Sequence, residues 1–425
     1  MNPVAHAAAG PAAHFPCLDA YRGIGMTMVL LNHAAYATGF INQSTLGPYL
    51  ARLDLSVPMF FVMSGFLLFR PYAAAINEDR PTIPIRTFYR RRVWRILPSY
   101  WVALFGVGAI FGLHIASTAG WVGNALLLPA VGVPVQVCEG TTCRVAYGLT
   151  QAWSIGVEAT YYLVLPLLAA ALVRLTRNRS RAQRTVLLLA CCALLYLLGT
   201  GFRIAVVATN PSWARQSLLW LPMFLDLFAI GMALAVISTL SLTDTVASVQ
   251  RAATRLANHP ALCWGIALAG FVGMAQLSPP TEPFGLNGRE YVPRQFVYGL
   301  ASAAWLLPAM FGDQQRGLLR RVLASRPLVY LGAISLSFYL WHLSFVEQAK
   351  VWTVPDYAQR QFAAAHPEDN PFAGLGLFAG NFFVVASVAW VSSMVVAAVL
   401  HRFVEQPGVR LGARRRRAPE SVSSP

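Results

Sequence analysis

Apolar residues in this chain are gathered into long, uninterrupted runs and do not alternate with polar ones. Each run is about 20 residues long, which is the length that an α-helix needs to cross roughly 30 Å of hydrocarbon. A membrane β-barrel would instead alternate over segments of about ten residues. The pattern predicts an all-α, polytopic integral membrane protein with about ten transmembrane helices in one bundle, at residues 18–40, 54–73, 97–115, 151–173, 185–208, 218–240, 260–277, 295–311, 328–349 and 375–401.

Composition supports the membrane class. Hydrophobic residues make up 56% of the 425 positions and charged residues only 12%, whereas a soluble domain carries about 25% charged residues. No internal repeat is evident, so residues 17–408 are predicted to form one membrane domain, between a disordered tail (1–16) and an Arg-rich cytoplasmic tail (409–425). The first 16 residues lack a basic n-region, so no cleavable signal peptide is expected.

The distribution of basic residues predicts the orientation. Of the 33 Lys and Arg residues, 24 lie in one alternating set of loops and seven in the other. The positive-inside rule then places both termini in the cytoplasm, and we expect a multi-pass protein of a bacterial inner (plasma) membrane. The net charge of +16 reflects this topology and attraction to the lipid bilayer, so nucleic acid is not expected as a partner.

Arg22 and His33 form the most informative pair within the first run. Eleven residues come to about 20° beyond three helical turns, so both side chains share one face, roughly 16 Å apart along the axis. Ionisable side chains at membrane depth usually face the bundle interior or a cavity and mark a functional path. The alternative is an interfacial arginine and a histidine satisfied by a neighbouring helix.

Glu158 lies about two turns inside the fourth predicted span, one turn after Ser154. An unpaired carboxylate at this depth must be neutralised or find a partner. His33 lies at a compatible depth, and a carboxylate that orients an imidazole is a recurrent arrangement for a general base. A purely structural His–Glu or Arg–Glu pair is the alternative.

Arg92 and Arg95 lie on one side of a helical turn at the predicted cytoplasmic start of the third span. Guanidinium forks bind phosphate in a bidentate manner, although a positive-inside anchor beside lipid headgroups would show the same pattern. Ser64 begins a small Ser-Gly step in the second span. This step favours close helix packing or the close approach of a threaded ligand.

Other segments carry further residues that could take part in binding or chemistry. His342 follows Tyr339 in the outer half of the ninth span. Arg203, near the outer end of the fifth span, and Asp226 in the sixth are further charges at membrane depth, which either pair or line an entry for substrate. Cys138 and Cys143 share a loop predicted to lie outside, where they could form a disulfide; zinc is not expected, because no second pair lies at ligand spacing.

Taken in order, these segments resemble the membrane acyltransferase 3 family, which includes O-antigen, Nod-factor and macrolide O-acylating enzymes. The likeness covers residues 17 to about 408. Two departures are Ala20-Tyr21, where the family usually has Gly-Leu or similar, and the lack of a C-terminal hydrolase-like domain that some members carry. The likeness to the family rests on six segments: Leu18-Asp19-Ala20-Tyr21-Arg22-Gly23-Ile24 running to His33, Phe60-Phe61-Val62-Met63-Ser64-Gly65, Arg92-Val93-Trp94-Arg95-Ile96-Leu97-Pro98, Trp153-Ser154 to Glu158, Tyr339-Leu340-Trp341-His342 and Phe403-Val404-Glu405-Gln406-Pro407.

The resemblance implies transfer of an acyl group from cytoplasmic acyl-CoA to a hydroxyl of a sugar-containing acceptor, with acyl-CoA as co-substrate and no permanently bound cofactor or metal. It implies His33 as the essential histidine, and residue chemistry adds Glu158 as the carboxylate expected to orient it. Arg22, Arg92, Arg95 and Ser64 are expected at the acyl-CoA site, and Trp153, Ser154, Tyr339, His342 and Arg203 in a substrate or structural pocket. The rival hypothesis is a transporter or flippase for a lipid-linked sugar or polar metabolite, which inverted repeats would favour. The sequence leaves the acyl chain, the acceptor and the oligomeric state open.

Overall fold

The computed structural model describes residues 15–113, 115, 117–131, 136–139, 142–145, 149–211, 213–240, 247–277, 288–312, 316–354 and 381–413. Helices make up most of these residues. The α-helices are, in chain order, α1 (Pro16–Ala37), α2 (Phe40–Gln43), α3 (Gly47–Ala51), α4 (Ser56–Asn77), α5 (Ile85–Ile110), α6 (Thr118–Ala125), α7 (Trp153–Thr176), α8 (Arg181–Thr209), α9 (Ala214–Ser217), α10 (Leu225–Ser238), α11 (Ala247–Ala257), α12 (Pro260–Leu277), α13 (Gly288–Met310), α14 (Leu318–Leu323), α15 (Arg326–Ala333), α16 (Ser335–Thr353), α17 (Phe382–Leu400) and α18 (Gln406–Ala413).

Shorter elements connect these helices. The strands β1 (Gln136–Glu139) and β2 (Thr142–Val145) form an antiparallel hairpin that the apolar pattern did not predict. The remaining turns are the 3-10 segments Arg52–Leu55, Leu128–Val131, Thr150–Ala152 and Leu221–Phe224 and a π-helical turn at His401–Glu405.

The helical, polytopic architecture agrees with the prediction. Seven helical segments in the described part of the chain are long and apolar enough to cross a membrane, and an eighth crossing results if α15 and α16 form one span. These two helices are bent by 69° where they meet, so the predicted span 328–349 is broken near its start. The number ten and the side on which the termini lie stay predictions.

Two of the predicted spans, 18–40 and 295–311, fall on α1 and α13, which are not among those apolar helices. With 22 residues, α1 is long enough to span roughly 30 Å. It carries Arg22 and His33, however, and α13 carries Arg294 and two internal prolines. The side chains that make α1 a candidate for function therefore also lower its hydropathy.

The core of the bundle depends on close contact between α4 and α10. A Cβ atom at Gly65 would collide with the carbonyl oxygen of Phe228, and one at Gly231 with that of Val62. Small residues allow helix backbones to approach in this way. The packing role predicted for the Ser-Gly step thus belongs to Gly65. Ser64 lies on the side of α4 that does not pack against α10.

A second close contact positions the first half of α1. A Cβ atom at Gly332 on α15 would collide with the carbonyl oxygen of Asp19, and one at Gly23 would collide with Leu331. The backbone of α15 therefore lies directly against the turn of α1 that carries Arg22.

A buried ion pair joins α8 to α10. The Nη1 and Nη2 atoms of Arg203 donate to the two carboxylate oxygens of Asp226, at 2.8 and 2.5 Å, and Nη2 also donates to the Met223 carbonyl. Arg203 is 1% exposed and Asp226 2%. This bidentate pair satisfies both charges inside the bundle.

Candidate active site

A cavity of about 850 Å³ lies between α1, α4, α5, α7, α15, α16 and α18. At one end are the side chains of Arg22, Arg92 and Arg95, which we call the arginine end. Ser154 and Tyr339 line the other end, which we call the hydroxyl end. Because Arg95 is exposed, the cavity is accessible from the arginine end.

Three arginines that the sequence analysis assigned to acyl-CoA meet at the arginine end. Arg22 on α1 donates from Nη1 to Asp19 at 3.1 Å, and its charge interacts with that of Arg95. Arg92 and Arg95 lie one turn apart on α5, which brings both guanidinium groups to the same wall. Arg22 is distant from Arg92 and Arg95 in the sequence. The three residues meet because α1 and α5 both line the cavity.

The Arg92 side chain is held by aromatic rings. Its guanidinium lies 5.8 Å from the ring centroids of both Phe88 and Tyr162. Its Nε is buried and has no hydrogen-bond partner within the described residues. Arg92, Arg95 and Arg410, all lining the cavity, form no salt bridge in that part of the chain. The arginine end therefore offers guanidinium groups that have no salt-bridge partner among the described residues, which suits an anionic ligand.

Glu158 lies in the middle of the cavity wall, on α7. Its Oε1 accepts a hydrogen bond of 2.5 Å from the Ser64 hydroxyl on α4, and its charge interacts with those of Arg22 and Arg92. The expected contact between Glu158 and His33 is not formed. The structure instead places the carboxylate where it partly balances the arginines.

His33 pairs with His342 on α16. The Nδ1 of His33 lies 2.8 Å from the Nε2 of His342, and the two ring planes are 8° apart. His342 is completely buried, whereas His33 is half-buried. Neither residue lines the cavity. The two histidines that the sequence analysis assigned to different roles are thus hydrogen-bonded neighbours.

The backbone defines the tautomers of this histidine pair. The Nδ1 of His342 lies 2.6 Å from the carbonyl oxygen of Tyr339, and a carbonyl oxygen can only accept. His342 therefore carries its proton on Nδ1, and its Nε2 accepts the hydrogen bond from the Nδ1–H of His33. In neutral His33 this leaves the lone pair on Nε2, the form that a general base requires.

Hydroxyl groups connect the cavity to the histidine pair. The Tyr339 hydroxyl donates to the Gln151 carbonyl at 2.7 Å, so the Ser154 hydroxyl is the donor in the 2.8 Å hydrogen bond between Ser154 and Tyr339. The ring centroid of Tyr339 lies 5.4 Å from that of His342. Tyr339 therefore stands between the hydroxyl end of the cavity and the histidines.

Glu405 and His401 contribute to the wall from the π-helical turn after α17. The Oε1 of Glu405 accepts from the backbone N–H and the hydroxyl of Ser337, at 3.0 and 2.5 Å, and Oε2 lies 2.8 Å from the Nδ1 of His401. A carboxylate at a helix N-terminus satisfies free N–H groups and complements the helix dipole. Glu405 thereby anchors the start of α16, the helix that carries His342.

Sequence reasoning missed Arg410 as a candidate site residue. Helix α18 continues to Ala413, past residue 408, where the membrane domain was predicted to end, and packs against α5 at Gly408 and Gly412. Arg410 had been assigned to the Arg-rich tail, because a basic run gives no signal that separates a ligand from a topology determinant. Tyr162 was also missed, since the sequence shows no reason for an aromatic residue at that position to face a cavity.

Trp153 and Arg203 lie away from the cavity, and the side chains of the two predicted cysteines are not among those that the structure describes. Trp153 packs against the rings of Phe61 and Phe224, at centroid distances of 6.3 and 5.3 Å. Arg203 belongs to the buried ion pair and does not line the cavity. The backbone pairs Cys138 with Cys143 across the hairpin, but their side chains are not among the described ones, so the disulfide stays a prediction.

A helical membrane bundle with a charged cavity that ends beside a hydrogen-bonded histidine pair has the features of a membrane-embedded transferase. A family model described as an acyltransferase domain, acyltransferase 3, matches residues 15–401. The chain therefore belongs to the membrane acyltransferase 3 family, as its motifs indicated, and is a multi-pass membrane acyltransferase that transfers groups other than aminoacyl groups.

A curated relative agrees with this assignment. The chain is 27% identical over 413 residues to acyltransferase MdmB of Streptomyces mycarofaciens, an alignment that covers 94% of this chain and 93% of the relative. No solved structure matches significantly. Membership in an enzyme family favours the acyltransferase over the transporter or flippase.

Proposed function

We propose that this protein is an O-acyltransferase that moves a short acyl group, such as acetyl, from cytoplasmic acyl-CoA to a hydroxyl group of a sugar-containing acceptor. The acceptor is an envelope glycan, a glycolipid or a secondary metabolite, and the protein lies in a bacterial inner membrane. The observation that carries this proposal is one cavity with three arginines at its arginine end and a histidine pair beyond its hydroxyl end.

The arginine end supports phosphate binding. Arg92, Arg95 and Arg410 form no salt bridges in the described part of the chain, and the phosphates of CoA would supply the anions that these guanidinium groups lack. Guanidinium groups bind phosphate through two parallel hydrogen bonds, and the exposed guanidinium group of Arg95 lies where it can form them. Glu158 keeps the wall from carrying excess positive charge and orients the Ser64 hydroxyl within the cavity.

The spacing of Arg22 and His33 along α1 supports a threaded pantetheine arm. Arg22 and His33 are roughly 16 Å apart along α1, a length comparable to that of the extended arm. On α4, Phe60 and Phe61 line the cavity beyond Ser64 on the side away from the arginines. Bulky aromatic rings in this part of the wall would favour a short acyl chain. To reach His33, the thioester has to pass the Tyr339 side chain.

His33 acts as the general base in this proposal. Its Nε2 takes the proton of the acceptor hydroxyl as the hydroxyl oxygen attacks the thioester carbonyl carbon. The carbon–sulfur bond breaks, the CoA thiolate leaves, and the proton held by His33 passes to the thiolate. The products are an acyl ester and CoA, and the histidine returns to its neutral form.

The proposal is tested by comparing wild-type cells with a strain lacking this protein, using mass spectrometry of envelope glycans, glycolipids and secreted metabolites. We expect an ester-linked acyl group to disappear in the deletion strain and to return on complementation with the wild type but not with the H33A variant. In parallel, the purified protein in nanodiscs should bind acetyl-CoA in isothermal titration calorimetry. An unchanged acylation profile together with no binding of acetyl-CoA would contradict the proposal.

A further inference from the structure

The pairing of His33 with His342 differs from the usual way in which a catalytic histidine is oriented. In most such sites a carboxylate accepts the hydrogen bond from the imidazole N–H that faces away from the substrate. Here the acceptor is the Nε2 of a second imidazole, at 2.8 Å, and this imidazole is 0% exposed. The carboxylate expected in this role, Glu158, is bonded to Ser64 instead.

We propose that His342 is a positioning residue that holds His33 in its Nδ1–H tautomer, so that the lone pair of His33 lies on Nε2. The inference rests on the proposed function, in which His33 is the base. A chain of two hydrogen bonds carries it: Nδ1–H of His33 to Nε2 of His342, and Nδ1–H of His342 to the Tyr339 carbonyl oxygen. The last acceptor is a backbone carbonyl oxygen of α16, which can only accept. The helix backbone therefore fixes which atom donates in both hydrogen bonds.

The arrangement is suited to a site inside a membrane bundle. A buried carboxylate would need compensation for its charge, which is costly in a medium of low polarity. A neutral imidazole accepts the same hydrogen bond without adding a charge to the resting site. When His33 takes up a proton, this hydrogen bond becomes charge-assisted and stronger. The additional stabilisation by His342 thus arises only after His33 has taken up the proton.

Packing restrains His342 in this orientation. Its ring lies nearly parallel to that of Phe338, with planes 6° apart, and 5.4 Å from the ring of Tyr339. At the start of the same helix, Glu405 accepts from the backbone N–H of Ser337. The ring of His342 therefore has little freedom to rotate away from His33.

Two amide substitutions at position 342 separate positioning from packing. In the H342N variant the side-chain amide reaches about as far as the Nδ1 of histidine, so it can donate to the Tyr339 carbonyl but offers nothing to His33. In H342Q the amide reaches the position of Nε2, and its carbonyl oxygen can accept the hydrogen bond from His33. Both variants are polar, uncharged and smaller than or close to histidine in volume.

The experiment measures acyl transfer by the wild type and by H342Q, H342N and H33A in nanodiscs. The probes are radiolabelled acetyl-CoA and propionyl-CoA, and the acceptor is the total lipid and glycan extract of the deletion strain. The exposed His259 provides a matched control, H259N. Thermal stability and acetyl-CoA binding are measured on the same preparations.

For H342N we expect turnover to fall about 10²- to 10⁴-fold, the range of effects for a lost base or a wrong tautomer. The KM for acyl-CoA and the affinity for acetyl-CoA should stay near wild type, and H342Q should recover at least tenfold over H342N. Wild-type turnover by H342N would overturn the inference, as would equal losses in both variants that follow their loss of thermal stability. Turnover by H33A, or none by the wild type, would contradict the proposed function itself.

Discussion

The carboxylate of Glu158 on α7 accepts a hydrogen bond of 2.5 Å from the hydroxyl of Ser64 on α4. The bond joins two helices across the middle of the cavity, and the carboxylate is close enough to Arg22 and Arg92 for their charges to interact. The contacts of Glu158 therefore belong to the arginine end of the cavity, whereas the ring of His33 bonds to His342.

Replacing Glu158 by Gln should lower activity less than replacing His33 by Ala. The amide still accepts the hydrogen bond from Ser64, but the negative charge near Arg22 and Arg92 is lost, so we expect a lower thermal stability. Activity and melting temperature are measured on the same purified protein. A variant that is as stable as the wild type but as inactive as H33A would show that the carboxylate takes part in the chemical step.

Replacing His33 by Ala should abolish acyl transfer while leaving acyl-CoA binding intact. The proposed task of His33 exists only in the chemical step, and loss of a general base typically costs about 10² to 10⁴ in rate. Turnover is measured with radiolabelled acetyl-CoA, and binding by calorimetry. Loss of binding in H33A would instead place His33 in the donor site.

Replacing Arg95 by Lys should raise the KM for acyl-CoA and change the KM for the acceptor little. A lysine ammonium keeps the charge but cannot reproduce the bidentate contact of a guanidinium with phosphate. The neighbouring R91K variant is the matched control, because Arg91 is exposed on the same helix and does not line the cavity. Equal donor kinetics in both variants would return Arg95 to the role of a lipid anchor.

Replacing Asp226 by Ala should destabilise the bundle by about 3–5 kcal/mol, because the buried guanidinium of Arg203 loses its partner. Turnover per folded molecule should change little, since neither residue lines the cavity. Thermal unfolding in detergent measures the loss, and the double variant R203M/D226L should recover part of it. A stable D226A variant without activity would instead place this pair on the path of the acceptor.

Reporter fusions test the orientation. The concentration of basic residues in alternate loops predicts that fusions after Arg184 and after Arg417 report a cytoplasmic location and that one at Gly140 reports an external location. With this orientation, acyl-CoA reaches the arginine end from the cytoplasm. An external signal at Arg184 would reverse the bundle and contradict a cytoplasmic donor.

The amino-acid sequence is sufficient to establish the class of the protein. A long apolar run that crosses a membrane forms a helix, because a helix satisfies the hydrogen bonds of its own backbone in lipid. Ionisable side chains within such a run are costly enough to point to function. For this reason the sequence alone identifies Arg22, Arg92, Arg95 and Glu158 as candidates, and all four line one cavity. The order of the motifs likewise indicates the acyltransferase family.

The packing of the helices determines which of these groups meet. The spacing of residues along one helix shows the face that they share, but not the depth or rotation of the neighbouring helices, which follow from backbone contacts such as those at Gly65 and Gly332. Two carboxylates and several arginines at similar depth allow many pairings, so the sequence could not show that Glu158 bonds to Ser64. For the same reason it could not show that His33 bonds to His342, 309 residues away along the chain.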